Sequence, residues 1–417
     1  MQSLPSLPPP DEAALQHTRA LTELIHNEIA AAGGWISFEQ YMRLALYAPG
    51  LGYYSGGAAK FGQEGDFVTA PELSSLFGEA VARQAVQVLE VVRSGDILEF
   101  GAGTGKLALD LLLELEKLGS LPKRYFILEV SAELQQRQRY LFEKSAPHLL
   151  PLIAWLKHLP PKFSGFVLAN EVIDAMPVHL VGWRGADLFE RGVASRDGKF
   201  AWCERPLTEG KGTRGKEREE EEKAFFEAAH ELDSQIKPGV DHGDDGSASE
   251  YFGEYITEIN LSARYFMRSL GNMLENGLIL LIDYGFGQSE YYHPQRNCGT
   301  LMCHYRHRVH DDPFYLPGLQ DITSHVDFSA IAKAATDSGL ELMGYTTQAH
   351  FLINCGITEI LAQTPAENIK DYLPLANQLQ KLVSSAEMGE LFKAIAFGKN
   401  ISEPLTGFVH GDKSRML

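Results

Sequence analysis

The run Glu99-Phe-Gly101-Ala-Gly103-Thr-Gly105 constrains this chain more than any other stretch. The apolar approach Asp96-Ile97-Leu98 leads into it, and Leu107-Ala-Leu-Asp-Leu-Leu-Leu follows. Three glycines at alternate positions, between a strand-like and a helix-like run, describe a strand, a tight turn and a helix. Glycine tolerates positive φ and admits a ligand close to the backbone, and the helix behind the turn offers unpaired N–H groups. Spacing excludes two look-alikes. A P-loop places four residues between its first glycine and Gly-Lys-Ser/Thr; here three separate Gly101 from Gly105, and Leu107 follows Lys106. The dinucleotide fingerprint Gly-x-Gly-x-x-Gly needs a glycine where Lys106 stands. What remains is Gly-x-Gly-x-Gly with an acid two positions ahead.

About one βαβ unit later, Arg124-Tyr-Phe-Ile-Leu-Glu129 is a second apolar run, and it ends in a carboxylate. A carboxylate has two acceptor oxygens and a ribose diol has two donors, so an acid here suits a nucleoside. Alone, Glu129 reads equally as a solvated strand end. The order of turn, helix and acid favours the nucleoside.

At 417 residues the chain has room for one elaborated α/β domain or for two. No run approaches the roughly eighteen apolar residues of a membrane span, so no membrane insertion is expected. The first 28 residues carry Pro8-Pro9-Pro10, Asp11, Glu12 and a single arginine, Arg19, unlike a secretory signal or a transit peptide. Four scattered cysteines suit a reducing compartment, and the cytoplasm of a bacterium is the expected location. The net charge of −18 and the lack of a basic tract argue against a nucleic-acid partner. A cationic or neutral substrate, such as a basic protein segment, fits better.

Residues 13–31 and Phe38 to Tyr47 read as amphipathic helices, the second capped by Ser37. Ser74 to Val92 reads as a long helix. Ile97–Phe100, Phe126–Glu129, Ile153–Leu156, Phe166–Ala169, Gly277–Asp283, Leu340–Tyr345 and Leu391–Phe397 read as strands. Strands alternating with helices predict a seven-stranded, mostly parallel sheet of α/β class. Val178 to Trp202, punctuated by Arg184-Gly185 and Asp197-Gly198, reads as a β-meander inserted as a separate flap. Lys211 to Glu231 reads as a charged surface helix, Asp241 to Ser249 as a mobile loop, and Tyr255 to Leu274 as an amphipathic helix. The expected division is an N-terminal helical segment with a lid (1–73), a first core part (74–177), the inserted region (178–254) and the rest of the core (255–417).

The fourth strand runs into Asn170-Glu171-Val-Ile-Asp174-Ala-Met-Pro177. Ligands of open α/β sheets sit beyond the carboxyl ends of strands, which puts Asn170, Glu171 and Asp174 at the mouth of the crevice. Two carboxylates can hold a guanidinium through paired charge-assisted hydrogen bonds. Turn formation and helix capping are the plain alternatives for Asn170 and Asp174.

The glycine turn resembles the adenosylmethionine loop of class I methyltransferases. Together with Gly65-Asp66-Phe67-Val-Thr69-Ala-Pro71-Glu72-Leu-Ser74, Asn170-Glu171…Asp174-Ala-Met-Pro177-Val, Asp283-Tyr284-Gly285 and Asp321-Ile-Thr-Ser-His325-Val-Asp327-Phe328, it resembles the MidA-like methyltransferases. The resemblance implies a Rossmann-like class I fold, the cofactor S-adenosyl-L-methionine and N-methylation of a protein arginine. The family includes a mitochondrial assembly factor acting on a respiratory complex I subunit, so a respiratory-complex subunit is the implied kind of protein partner. It implies cofactor contacts from Glu99, Gly101, Gly103, Gly105, Glu129 and Asn170, with Asp66, Thr69 and Glu72 in a lid. Glu171 and Asp174 would bind the acceptor. His307, in a loop after Asp283-Tyr-Gly, would position substrate or take a proton. Plain alternatives are a structural role for His307 and a capped helix start for Thr69 to Glu72. The Cys298 to His310 run is too compact for recurrent zinc-ligand spacing and includes Arg306 and Arg308, so no metal is expected there. Two other readings stay open: a small-molecule methyltransferase, and an assembly factor that binds adenosylmethionine without turnover.

Overall fold

Seven apolar runs become neighbouring strands of one sheet, numbered in chain order: β1 (Asp96–Phe100), β2 (Tyr125–Leu128), β3 (Ile153–Leu156), β4 (Phe163–Asn170), β5 (Leu274–Phe286), β6 (Glu341–Thr347) and β7 (Phe392–Lys399). Their spatial order is β6-β7-β5-β4-β1-β2-β3. The pairs β5–β4, β4–β1, β1–β2 and β2–β3 are parallel, and β7 runs antiparallel to both β5 and β6. A two-residue strand, Val326–Asp327, adds a parallel pairing at the end of β5 and raises the count to eight. The chain steps outward from β1 to β3, then returns to β4 on the other side of β1. That reversal is the topological switch where such sheets bind ligands. Leu278 to Ile282 in β5 are all fully buried, which is why the run is apolar without alternation.

The computed structural model describes residues 7–56, 69–93, 95–185, 187–207, 216–236, 240–242, 248–250 and 254–417. The chain divides into two compact units, each built from three segments. One contains the sheet and comprises Ala59–Asp174, Tyr265–Gly287 and Val326–Leu417. Its core joins Phe77 and Val81 of the Ser75–Val92 helix, Leu111 and Leu112 of the Lys106–Lys117 helix, and Ile97, Phe166 and Leu280 of the sheet. Burying each such side chain contributes about 1.5–3 kcal/mol.

The other unit comprises Met1–Ala58, Ala175–Arg264 and Gln288–His325. Asp11 caps its first helix, Glu12–Ala31, and Ser37 caps the second, Phe38–Tyr47, by accepting from Gln40 N at 3.1 Å. The meander is present as His179–Arg184, Asp187–Arg196 and Lys199–Pro206, all antiparallel. It is not a separate flap, because Ile36–Ser37 pairs with its middle strand and Glu254–Ile259 with its first. The helix expected from Tyr255 is therefore a strand up to Ile259, and the helix itself is Leu261–Met273. The charged stretch forms the helix Lys216–Ile236, which Trp183 holds through an Nε1–Asp233 Oδ1 bond of 2.8 Å. Of the loop expected from Asp241 to Ser249, residues 243–247 lie outside the described residues, and the flanking Val240–His242 pairs antiparallel with Ala248–Glu250. The linear division at 73, 177 and 254 gives way to this interleaving: Ala70–Leu73, for one, belongs with the sheet. Among the described residues no helix is long and apolar enough to cross a membrane.

Candidate active site

Gly101, Gly103 and Gly105 have φ of +60°, +54° and +89°, a region that residues with a Cβ rarely enter. Gly105 opens the Lys106–Lys117 helix without a side-chain cap of its own, and Lys106 N donates to Thr104 Oγ1 at 3.3 Å; a helix start of this kind offers further donors to a ligand. Among the described residues a Cβ on Gly103 would meet nothing within 4 Å, which leaves space over the turn. At Gly101 it would meet Val172 Cγ2 at 3.1 Å, so the turn abuts the Asn170–Asp174 loop.

Glu129 follows β2 and is 7% exposed. Its Oε1 accepts from Ser131 N at 2.9 Å and its Oε2 from Gln138 Nε2 at 3.4 Å. The same Nε2 donates to Gly103 O at 2.9 Å, while Gln138 Oε1 accepts from Trp155 Nε1 at 2.7 Å. Gln138 is thus a buried tie between acid and turn. Burial raises the Glu129 pKa, and the donors around it pull the other way. An anionic acceptor beside an open glycine turn fits a nucleoside diol.

Glu99 is 2% exposed and accepts from Tyr125 Oη at 2.8 Å. Burial pushes its pKa up to about 8, against the Tyr125 bond and helped by the charge of Glu129. It lies in β1, two residues ahead of the turn, and this bond ties it to β2.

Thr69 stands at the N-cap of the short helix Ala70–Leu73 without a side-chain capping bond. Glu72 accepts from the Thr104 hydroxyl, inside the glycine turn. The segment therefore meets the cofactor loop through Glu72. Asp66 lies outside the described residues.

Asn170 ends β4; its Nδ2 donates to Glu171 Oε1 at 3.1 Å, and among the described residues its buried Oδ1 has no hydrogen-bond partner. Glu171 adopts φ +52° and donates its N–H to Ile282 O of β5 at 2.9 Å. Asp283, 1% exposed in β5, accepts through Oδ2 from Ile173 N at 3.0 Å and Asp174 N at 3.3 Å. Its pKa is raised by burial first, then by the charges of Asp174 and Glu171. Three acids thus converge where β4 ends beside β5. The sequence reading placed Glu171 and Asp174 but passed over Asp283, although it closes an apolar run much as Glu129 does. Gln138 gave no such signal.

His307 belongs to the other unit, at the tip of the hairpin Met302–Tyr305/Arg308–His310. Arg306 and His307 have φ of +47° and +59°, two consecutive left-handed residues as in a type I′ turn. Glycine and asparagine are favoured there, so His307 is exposed in a strained position. Cys303, in the same hairpin, is buried, and burial raises its thiol pKa.

Comparison with known proteins accords with this geometry. The model of a family of S-adenosyl-L-methionine-dependent methyltransferases, Methyltransf_28, matches residues 80–346. A Burkholderia thailandensis protein solved with bound S-adenosyl-homocysteine is 47% identical, with a TM-score of 0.88 over 99% of this chain and 100% of that one. The protein arginine methyltransferase NDUFAF7 homolog, mitochondrial, of Drosophila melanogaster is 28% identical over 94% of this chain and 89% of its own length. The Rattus norvegicus protein arginine methyltransferase NDUFAF7, mitochondrial, is 30% identical over 78% of this chain and 71% of its own. The cofactor is S-adenosyl-L-methionine. The chain belongs to the MidA-like family of S-adenosyl-L-methionine-dependent methyltransferases.

Proposed function

We propose that this methyltransferase modifies a guanidinium nitrogen of an arginine in a protein substrate. The observation that carries the reading is the acid cluster of Glu171, Asp174 and Asp283, at the same sheet edge as the glycine turn. Carboxylates that raise one another's proton affinity create a demand for positive charge. A guanidinium meets it with five N–H donors in a planar fork, and a carboxylate pair fixes the plane of that fork. The names of the curated relatives support the same acceptor.

When bound, the cofactor supplies an electrophilic methyl group on a sulfonium. Glu129 would accept from its ribose hydroxyls, and the Gly101–Gly105 turn would let its methionine end approach the backbone. Glu99 would orient that turn. Glu171 and Asp174 would hold the guanidinium with one nitrogen toward the methyl group, and take the proton that this nitrogen releases. Asp283 positions them by accepting the N–H groups of Ile173 and Asp174. Alignment and fixed charge are the protein's contribution to a direct displacement.

The test is transfer of a labelled methyl group from S-adenosylmethionine to a cell extract, read by mass spectrometry of arginine. Label on protein arginine is the expected result; label on small molecules alone, or none, overturns it. Glu171→Gln keeps the shape and removes the charge, which at roughly 2–5 kcal/mol for a desolvated pair lowers transfer by at least about tenfold. Calorimetric affinity for S-adenosyl-homocysteine should be unchanged in that variant.

A further inference from the structure

His179, 6% exposed, begins the first meander strand, with Phe225 of the charged helix stacked on its ring at 4.5 Å. Its Nδ1 lies 3.0 Å from Glu190 Oε1. Among the described residues its buried Nε2 has no hydrogen-bond partner, and it faces Glu221 Oε1 at 3.6 Å. Glu39, also 6% exposed, completes the group: one ligand atom from each of Glu39, His179 and Glu221 lies within 4.8 Å of the others.

We infer that Glu39, His179 and Glu221 form a binding site for a divalent transition-metal ion of the zinc class, with Glu190 as the positioning residue for the imidazole. A carboxylate on Nδ1 fixes the tautomer that presents the Nε2 lone pair, the usual arrangement behind a metal-bound histidine. A separation of 3.6 Å is too long for a hydrogen bond. It suits two ligands of one tetrahedral ion, which at metal distances of 2.0–2.2 Å stand about 3.4 Å apart. Charge points the same way. Glu39, Glu190 and Glu221 bring three carboxylates to one imidazole, while Arg43 Nε stands 3.4 Å from Glu39 Oε1. Carboxylates gathered around a buried ring favour a cation between them. The ion would fasten the Lys216–Ile236 helix to strand His179–Arg184 and to the Phe38–Tyr47 helix.

The test uses the full-length protein, stripped with a chelator, incubated with zinc chloride, desalted and analysed for metal. The parent should retain about one equivalent and gain melting temperature. His179→Ala and Glu221→Gln should each lower zinc affinity by at least about tenfold. Glu221 lies at the helix surface, so its variant separates lost binding from misfolding; Glu220→Gln, at an exposed neighbour, should bind as the parent does. A parent that retains no zinc means that the proton alone occupies the pocket. Zinc held equally by Glu221→Gln places the ion elsewhere. Either result overturns the inference.

Discussion

Glu171 holds φ at +52°, where a residue with a Cβ costs roughly 1–2 kcal/mol. Strain of this kind collects where a side chain must be aimed. Glu171→Gly should therefore leave stability unchanged or raise it by up to about 1 kcal/mol in a denaturant titration. Methyl transfer should fall at least about tenfold in the same variant. If transfer persists, Glu171 does not touch the acceptor. Glu99 gives a pH signature. Unfolded, it titrates near 4.5, and folded near 8. Between those values the native state keeps a proton that the unfolded state has lost, so stability falls as pH rises through the window and levels off above it. Glu99→Gln removes that slope. Its advantage in melting temperature over the parent should be absent at the acid end and grow toward pH 8; a gain that ignores pH would show that Glu99 is not buried as a carboxyl. Glu129 was legible as an acid closing a strand in a known order of elements. Glu171 was legible only as a position, since its backbone angle leaves no mark in a sequence.

The Ala132–Ser145 helix buries Leu134, Gln138 and Phe142, one apolar-type face with an amide at its centre. In sequence that amide looks like a solvated side chain, because its partners lie on the glycine turn and on Glu129 and Trp155. Gln138→Leu should lower affinity for S-adenosyl-homocysteine by about tenfold by calorimetry, and cost roughly 1–3 kcal/mol through unpaired buried groups. Unaltered affinity would mean that the turn needs no support from this helix. The strands of the sheet were readable because burial on both faces makes short continuous apolar runs. Glu254–Ile259 was not. It is buried from Tyr255 onward against His179–Arg184, a distant partner, and without alternation it merged with the helix behind it.

Across the whole molecule, local patterns found most elements but not their grouping. Nothing near Ile36 announces that it pairs with Val193, nor that the Tyr41 and Thr18 hydroxyls donate to Pro313 O and Pro317 O, each at 2.8 Å. The N-terminal helices supply Leu21, Ile25, Phe38 and Tyr41 to the core of their unit. Deleting residues 1–58 should thus speed proteolytic cleavage within 179–206. A cleavage pattern matching the parent would show that the meander stands without them.

A ribosome delivers β7 last. That strand lies between β5 and β6, so β5 keeps a bare, apolar edge until Lys399 has been synthesised. The other unit has all its segments by His325, 74 residues sooner, an interval of roughly 4–15 s at about 5–20 residues per second. During that time the nascent sheet is a template for pairing with foreign strands. Chaperone demand should concentrate there, and a premature stop before Phe392 yields an aggregation-prone fragment in place of a shorter enzyme.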